Sequence, residues 1–160
     1  MHVRDAKPDD FATVADIYNE GILGRNSTFE TRLRNAQDVA DIADEGLPFV
    51  VAEVDGVVVG FAWTTPYSKR ECYRGVVHFS VYVAGTHRGQ GIGKSALQAL
   101  FPRLRARGVY KMISGIFPEN LASRALMKSL GFREVGIFVR QAQLDGIWRD
   151  DVMVEKLLDE

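Results

Sequence analysis

The chain has 160 residues, of which 46% are hydrophobic and 26% are charged, a composition that suits a globular domain with its own core. Lysine and arginine (20) nearly balance aspartate and glutamate (21), which argues against a nucleic-acid-binding protein, because such proteins carry a basic excess. The single cysteine excludes an intramolecular disulfide, and no cysteine–histidine cluster indicates a metal site.

The N-terminal segment gives an indication of the protein's cellular localisation. Met1-His2-Val3-Arg4-Asp5 lacks the apolar stretch of a signal peptide. No run of about 20 apolar residues could span a bilayer. We therefore expect a cytoplasmic protein that has no membrane partner.

The first half of the chain combines strand-like runs with two helical patterns. Apolar residues recur at helical spacing after Pro8, a residue that suits the first turn of a helix. Asn35 is a favourable N-cap for a second helix, and Asp55-Gly56 is a strong signal for a two-residue hairpin. The predicted elements are strand His2–Ala6, a helix from Pro8 to about Ile22, helix Ala36–Glu45, and strands Phe49–Val54 and Val57–Thr65.

The second half alternates strands with helices and ends in a hairpin at Asp145-Gly146. Pro102 lies inside a helical pattern and predicts a kink or a shift in packing. The order βααβββαβαββ indicates one α/β domain over residues 1–160 with a mixed sheet. The predicted elements are strand Val76–Val83, helix Gly91–Arg107, strand Tyr110–Phe117, helix Pro118–Leu130, and strands Phe132–Leu144 and Ile147–Leu157.

The most informative segment is the turn between strand Val76–Val83 and the helix that follows it. The turn places Gly89, Gly91 and Gly93 at alternate positions, with Arg88 before them and Lys94 after them. Glycines allow positive φ and a close approach of the backbone to a ligand. Free amides and a helix N-terminus form an anion site, so this segment predicts a site for a diphosphate.

Two common phosphate-binding patterns fit this turn poorly. The dinucleotide-binding pattern needs G-x-G-x-x-G after the first strand of a βαβ unit, whereas this turn follows the fourth strand. Gly93-Lys94-Ser95 supplies the end of a Walker pattern, but Gly89 makes the loop one residue too short. A third interpretation is a glycine-rich turn that binds no ligand. Its glycines would then destabilise the fold without contributing to ligand binding.

The turn resembles the R/Q-x-x-G-x-G/A element of the GNAT acetyltransferases, through Arg88-x-x-Gly91-x-Gly93. Asn120-x-x-Ser123, followed by Leu130-Gly131-Phe132, is similar to the second half of that family's cofactor region. The likeness covers nearly the whole chain and is greatest to the phosphinothricin and methionine sulfoximine acetyltransferases. It implies the GNAT fold, a mixed, mostly antiparallel sheet flanked by helices, in which one parallel pair of strands splays apart.

The resemblance also implies acetyl-CoA as the cosubstrate, and no metal. Backbone groups of Val81 and Val83 would bind its acetyl and pantetheine parts between the splayed strands. Asn120 would contact pantetheine with help from Ser123, although Asn120 is equally well explained as a helix N-cap. The diphosphate would bind the turn, at Arg88, Gly89, Gln90, Gly91, Ile92, Gly93 and Lys94.

His78 is the candidate general base, because it lies on the strand that would hold the acetyl group, where many relatives have glutamate. An imidazole is partly neutral at pH 7 and can accept a proton from an amine. The alternative is a strand histidine that bonds a cross-strand partner. Met127 stands where relatives often have a tyrosine or histidine as general acid, and methionine cannot donate a proton.

Phe29, Arg70 and Tyr73 occupy positions that resemble the substrate pocket of the phosphinothricin enzymes. Arg70 could bind a carboxylate or phosphinate through two parallel hydrogen bonds, or could be a solvated loop charge. The resemblance therefore implies a homodimeric N-acetyltransferase of small amino-acid-like amines, which attack the thioester directly. The alternatives are a peptide or protein N-acetyltransferase and a module that binds acetyl-CoA without turnover.

Overall fold

The fold is a seven-stranded mixed sheet with helices on both faces, seen in a computed structural model that describes residues 1–159. The strands lie in the order β1-β2-β3-β4-β5-β7-β6. This order and the chain order βααβββαβαββ confirm the predicted architecture. The elements are β1 (His2–Asp5), α1 (Phe11–Gly24), α2 (Ala36–Ala43), β2 (Phe49–Val54), β3 (Val57–Pro66), β4 (Val76–Val83), α3 (Ile92–Arg105), β5 (Lys111–Ile116), α4 (Leu121–Ser129), β6 (Arg133–Leu144) and β7 (Ile147–Leu157).

The predicted elements differ from the observed ones at their ends. The first helix begins at Phe11, because Pro8–Asp10 forms a separate 3₁₀ turn, and α2 ends at Ala43, two residues before the predicted end. α3 continues for three residues beyond Pro102. Pro102 lies on the exposed side of α3, where water can satisfy the carbonyl that its missing N–H leaves free.

The sheet has two covered faces. α1 and α2 pack on one of them, which we call the α1 face, through residues such as Val14, Ile22, Val39, Phe61 and Trp63. The other, the α3 face, is covered by α3 and α4 through residues such as Leu97, Leu100, Met112, Met127 and Val154. Because side chains alternate along a strand, β4 directs Tyr82, Ser80 and His78 to the α1 face and Val77, Phe79 and Val81 to the α3 face.

β4 and β5 form the parallel pair, and they remain paired for a short distance. Their register covers residues 76–78 of β4 and residues 111–113 of β5. β3 stays paired with β4 as far as Val83, and β7 stays paired with β5 as far as Ile116. A gap therefore opens between residues 79–83 and residues 114–116, which we call the splay gap.

A buried ion pair fixes the start of α1 to β1. Asp10 is 5% exposed, and its carboxylate accepts hydrogen bonds from the Arg4 guanidinium at 2.8 and 2.9 Å and from the Lys7 amide at 2.9 Å. The Arg4 hydrogen bond, followed by the Lys7 amide, outweighs burial and holds the pKa of Asp10 below its usual value of 3.8. The ionised carboxylate thus stabilises the fold above about pH 4, and this stabilisation is lost as the pH falls further.

Replacement of Asp10 by asparagine should lower the free energy of unfolding at pH 7 by about 2–3 kcal/mol, because Arg4 loses its charged partner. Chemical denaturation measures this difference, which should shrink as the pH is lowered through the pKa of Asp10. Asp5→Asn is the matched control: Asp5 pairs with Arg103 at 2.7 Å but is 76% exposed, so a loss below about 1 kcal/mol is expected. Equal losses in the two variants would contradict this account.

Candidate active site

The glycine turn, residues 85–93, is hydrogen-bonded to α1 at its first residue and has free space around its later glycines. The Gly85 amide donates to the Glu20 carboxylate of α1 at 2.8 Å. Gly89 and Gly91 both adopt φ of +77°, and a β-carbon at either position would meet no other atom within 4 Å. The left-handed backbone therefore opens towards free space, as a ligand-binding turn requires.

The amides of residues 89–94 donate to no other described residue. The helical hydrogen bonds begin with the Ser95 amide, which donates to the Gly91 carbonyl at 3.1 Å. Gly91 is the N-cap of α3 and offers no side chain to cap it. Ile92 is 3% exposed, so only its backbone could reach a ligand. These free donors at the positive end of a helix, with Arg88 beside them, suit a diphosphate.

Alternate residues of β4 direct their backbone groups to opposite neighbours. The Val76 carbonyl accepts a hydrogen bond from the Tyr67 amide, just after β3, at 3.2 Å. The Ala84 amide donates to a β3 carbonyl at 2.8 Å. Even-numbered residues of this segment therefore bond to β3, and odd-numbered residues face β5.

Phe79, Val81 and Val83 are the odd-numbered residues that face the splay gap. The Phe79 carbonyl accepts a hydrogen bond from the Ser114 hydroxyl of β5 at 3.0 Å, where the backbone ladder has ended. Val81 and Val83 lie beyond this bridge, so their amides and carbonyls point into the widening gap. This orientation is the one that their predicted contacts with acetyl and pantetheine groups need.

The N-terminus of α3 lies directly against this part of β4. A β-carbon on Gly93 would lie 3.5 Å from the Val83 side chain and 3.6 Å from that of Val81, and the Arg88 Nε lies 3.5 Å from the Val83 carbonyl. The turn and the splay gap are therefore adjacent. One extended ligand with an anionic end could occupy both.

The predicted contacts on α4 lie at its N-terminus. Asn120 is the N-cap, and its side-chain oxygen accepts from the Ser123 amide at 3.2 Å, which confirms the capping interpretation. The Asn120 amide nitrogen lies 3.5 Å from the Asn26 carbonyl, and its contact with pantetheine stays a prediction. Met127 is 2% exposed in the core of the α3 face, so it is a packing residue.

His78 lies at the last paired position before the splay gap, opposite Thr65 on β3 and Ile113 on β5. Its ring is half-buried on the α1 face and forms no hydrogen bond with residues 1–159. Burial lowers the pKa of His78 below 6.5, because desolvation disfavours the charged imidazolium. The ring is therefore neutral at pH 7 and able to accept a proton, and its role as base stays a prediction.

The predicted substrate residues fall into two groups. The Arg70 guanidinium lies over the Tyr73 ring at 5.5 Å in the exposed loop that precedes β4. Phe29 packs edge-on against Phe117, just after β5, at 4.8 Å between ring centroids. Because β4 and β5 are parallel, the two groups lie at opposite ends of the pair, with His78 between them.

Ser114, Gly115 and Asp151 also border the splay gap, although no motif in the sequence indicated them. A β-carbon at Gly115 would collide with the Asp151 carboxylate, so this carboxylate lies over β5. Burial raises the pKa of Asp151 to about 6. The sequence did contain one indication of Asp151. Asp150 and Asp151 are consecutive in a strand, and successive side chains point to opposite faces of the sheet, so one of the two carboxylates must face each side.

In residues 1–159, no group of three or more histidine, cysteine, aspartate or glutamate side chains is placed to bind a metal ion. Within the same residues, no helix is both long enough and apolar enough to cross a membrane.

Comparison with known proteins assigns the chain to a family. Residues 12–132 match the model of the acetyltransferase (GNAT) family. The chain belongs to the GNAT acetyltransferases. Members of this family use acetyl-CoA, and the binding of its diphosphate at the glycine turn and of its thioester at the splay gap stays a prediction.

Three relatives show how close the likeness is. The L-methionine sulfoximine/L-methionine sulfone acetyltransferase of Pseudomonas aeruginosa is 35% identical over 98% of this chain and 94% of its own length. A phosphinothricin acetyltransferase from Sinorhizobium meliloti, solved in complex with AcCoA, has a TM-score of 0.90 and 32% identity, covering 98% of this chain and 87% of that one. A ribosomal-protein-alanine N-acetyltransferase from Brucella melitensis has a TM-score of 0.92 and 33% identity, covering 98% and 99%.

Gly91→Ala should weaken acetyl-CoA binding by about tenfold or more, because the added methyl group would occupy the space that the diphosphate needs. The same change should lower the free energy of unfolding by about 1 kcal/mol, since φ is +77°. Calorimetric titration with acetyl-CoA and chemical denaturation measure the two effects.

Gly56→Ala is the matched control for this variant. Gly56 has φ of +78° in the hairpin between β2 and β3, also with open space around it. It should show the same loss of stability and unchanged acetyl-CoA affinity. A similar loss of affinity in both variants would mean that Gly91 acts through backbone strain alone.

Proposed function

We propose that this enzyme transfers the acetyl group of acetyl-CoA to the primary amine of a small amino-acid-like substrate, of the methionine sulfone or phosphinothricin type. The observation that carries the proposal is the splay gap, where the backbone groups of Val81 and Val83 have no strand partner on β5 and lie beside the amides of the glycine turn. The relative from P. aeruginosa supports the choice of substrate class.

The proposed reaction is a direct attack in a ternary complex. An aliphatic ammonium has a pKa near 10, so it must lose a proton before it attacks. The neutral imidazole of His78 accepts that proton, and the amine nitrogen then bonds to the thioester carbonyl carbon. The Val81 or Val83 amide donates to the resulting oxyanion. When the carbon–sulfur bond breaks, the sulfur leaves with the electron pair. The nitrogen loses its second proton and the sulfur gains one, which gives free CoA and the N-acetylated product.

Arg70 and Tyr73 are proposed to bind the acidic group of the substrate. The guanidinium is exposed, and its one stacking contact within residues 1–159 is with the Tyr73 ring. Its planar donors therefore remain available for a carboxylate or phosphinate. Phe29, packed on Phe117, would line the other end of the acceptor site.

A peptide or protein acceptor is the second candidate, favoured by the likeness to the Brucella enzyme. Thiol release from acetyl-CoA, measured with phosphinothricin, methionine sulfoximine, methionine sulfone and short peptides, separates the two. We expect turnover with the small amino acids and little with peptides. The reverse preference would replace the proposed substrate class, and release with none of them would favour acetyl-CoA binding without turnover.

His78→Ala should lower kcat at pH 7 by roughly 10²- to 10⁴-fold, the usual contribution of a general base, with little change in acetyl-CoA affinity. The lowered pKa of His78 predicts that wild-type activity falls as the pH drops below 6.5, because the imidazole becomes protonated. The pH–rate profile tests this directly. If the variant kept the wild-type acidic limb, His78 could not be the base.

We also propose a cytoplasmic homodimer that forms through β6. β6 is an edge strand, and together with β7 it exposes Val135, Ile137, Phe138, Val139 and Trp148. An edge with so much exposed apolar surface is typical of an interface. Its occupant would be the same strand of a second copy, and sedimentation velocity should give twice the chain mass of 17.8 kDa. A monomer at micromolar concentration would contradict this.

A further inference from the structure

Asp151 is a charged group at the splay gap for which the proposed reaction has no role. On β7, Met153 pairs with Gly115 of β5, and Asp151 lies two residues further along on the same face of the sheet. Its carboxylate lies over Gly115, since a β-carbon there would collide with both of its oxygens. Gly115 belongs to one wall of the gap, so the carboxylate lies at the edge of the gap.

No cation of the described chain neutralises this carboxylate. Arg149, the neighbouring residue on the same face of β7, directs its guanidinium over the Phe117 ring at 4.2 Å and towards Glu119 at 3.4 Å. Burial alone raises the pKa of Asp151 to about 6. The carboxylate is therefore mostly ionised at pH 7 and lacks a counter-charge.

The carboxylate can still be reached from solution. Among residues 1–159, no fully buried side-chain oxygen lacks a hydrogen-bond partner. Neither oxygen of Asp151 has such a partner, so both must retain contact with solvent. A cationic group that enters the gap could therefore reach these oxygens.

The spacing between Asp151 and His78 fits a small molecule. Ile113 pairs with His78, and Gly115 lies two residues beyond Ile113. With a rise of about 3.3 Å per residue and a strand separation of about 4.8 Å, the α-carbons of His78 and Gly115 are roughly 8 Å apart before the splay widens that distance. Both side chains are on the α1 face, so an amine between them would lie beside the thioester.

We propose, on the basis of the function proposed above, that Asp151 is a substrate-binding residue whose carboxylate binds the ammonium group of the acceptor. The carboxylate supplies the missing counter-charge and holds the nitrogen at the edge of the splay gap. His78, on β4 at the last paired position before the gap, then accepts the proton that the nitrogen loses. In this arrangement Asp151 determines acceptor affinity, and the glycine turn determines acetyl-CoA affinity.

Steady-state kinetics of Asp151→Asn with methionine sulfone as acceptor tests this role. The KM for methionine sulfone should rise about tenfold or more, with a smaller change in kcat, because a charged contact is lost from the bound acceptor. The Kd for acetyl-CoA should stay within about twofold of the wild-type value. A competitive inhibitor without the amino group, 4-(methylsulfonyl)butanoate, should keep its Ki, since it has no ammonium to bind.

Two further variants complete the experiment. Gly115→Ala keeps the carboxylate and displaces it, so its KM should also rise, which covers the case in which Asp151→Asn folds poorly. Asp55→Asn makes the same chemical change in the β2–β3 hairpin, where Asp55 has φ of +52°, a conformation that asparagine also tolerates, and should leave KM unchanged.

The outcomes separate this inference from the function on which it rests. If the wild-type enzyme turns over methionine sulfone and Asp151→Asn keeps its KM, Asp151 does not bind the acceptor. An equal loss of affinity for the deaminated inhibitor would also overturn the inference, because the effect would then be structural. No turnover by the wild-type enzyme with any amine would overturn the proposed function and this role together.

Discussion

The parting of β4 and β5 beyond His78 and Ile113 is the constraint on which the site depends. Interior strands of a sheet normally satisfy each other's amides and carbonyls, and unpaired groups are costly when water is excluded. Here the ladder stops after residues 76–78, and the Ser114 hydroxyl satisfies one carbonyl at the point of divergence. The backbone groups of β4 beyond that point have no strand partner on this side, although the Arg88 Nε lies 3.5 Å from the Val83 carbonyl. The splay gap thus offers a ligand backbone groups whose positions do not depend on side-chain identity.

The two ligands of the proposed reaction use different physical means of recognition. In the proposed reaction acetyl-CoA would bind backbone amides and the N-terminus of α3, which has no capping side chain. The acceptor would bind side chains on the α1 face, where burial shifts both His78 and Asp151 towards their neutral forms. Desolvation therefore keeps the His78 imidazole neutral, so that it can accept a proton. The same desolvation makes the ionised Asp151 carboxylate costly unless a cation binds it. Because the two sets of contacts are separate, substitutions should affect the two affinities independently.

Local chemistry explains why much of this could be predicted from the sequence. Asp55-Gly56 has few conformations other than a tight hairpin, and alternate glycines before a helix have few uses other than a close approach to an anion. The order of the elements and the turn at residues 85–93 followed from such signals. The orientation of Val81 and Val83, however, was inferred from the family resemblance, because the point at which two strands part is set by tertiary packing that no local pattern encodes.

Other features depend on contacts between distant segments. Asn120 could be recognised as a cap because capping is local, whereas the burial of Met127 depends on how α4 packs on the sheet. The Asp151 carboxylate lies over Gly115, which is 36 positions earlier in the chain. The register of β5 and β7 brings the two residues together. The 3₁₀ turn at Pro8–Asp10 escaped prediction for a different, local reason. Pro8 suits the first turn of either kind of helix, and the bonds from Arg4 and the Lys7 amide hold Asp10 at the end of this turn.

The central claim is that CoA is held by the backbone of the glycine turn and of the splay gap. Titration of the ¹⁵N-labelled protein with CoA, followed through amide resonances, tests it most directly. We predict saturable shifts at Val81, Val83, Gly89, Gly91 and Gly93, with small changes in the β2–β3 hairpin around Asp55-Gly56. Saturable shifts confined to another surface, or no shifts at millimolar CoA, would contradict the claim.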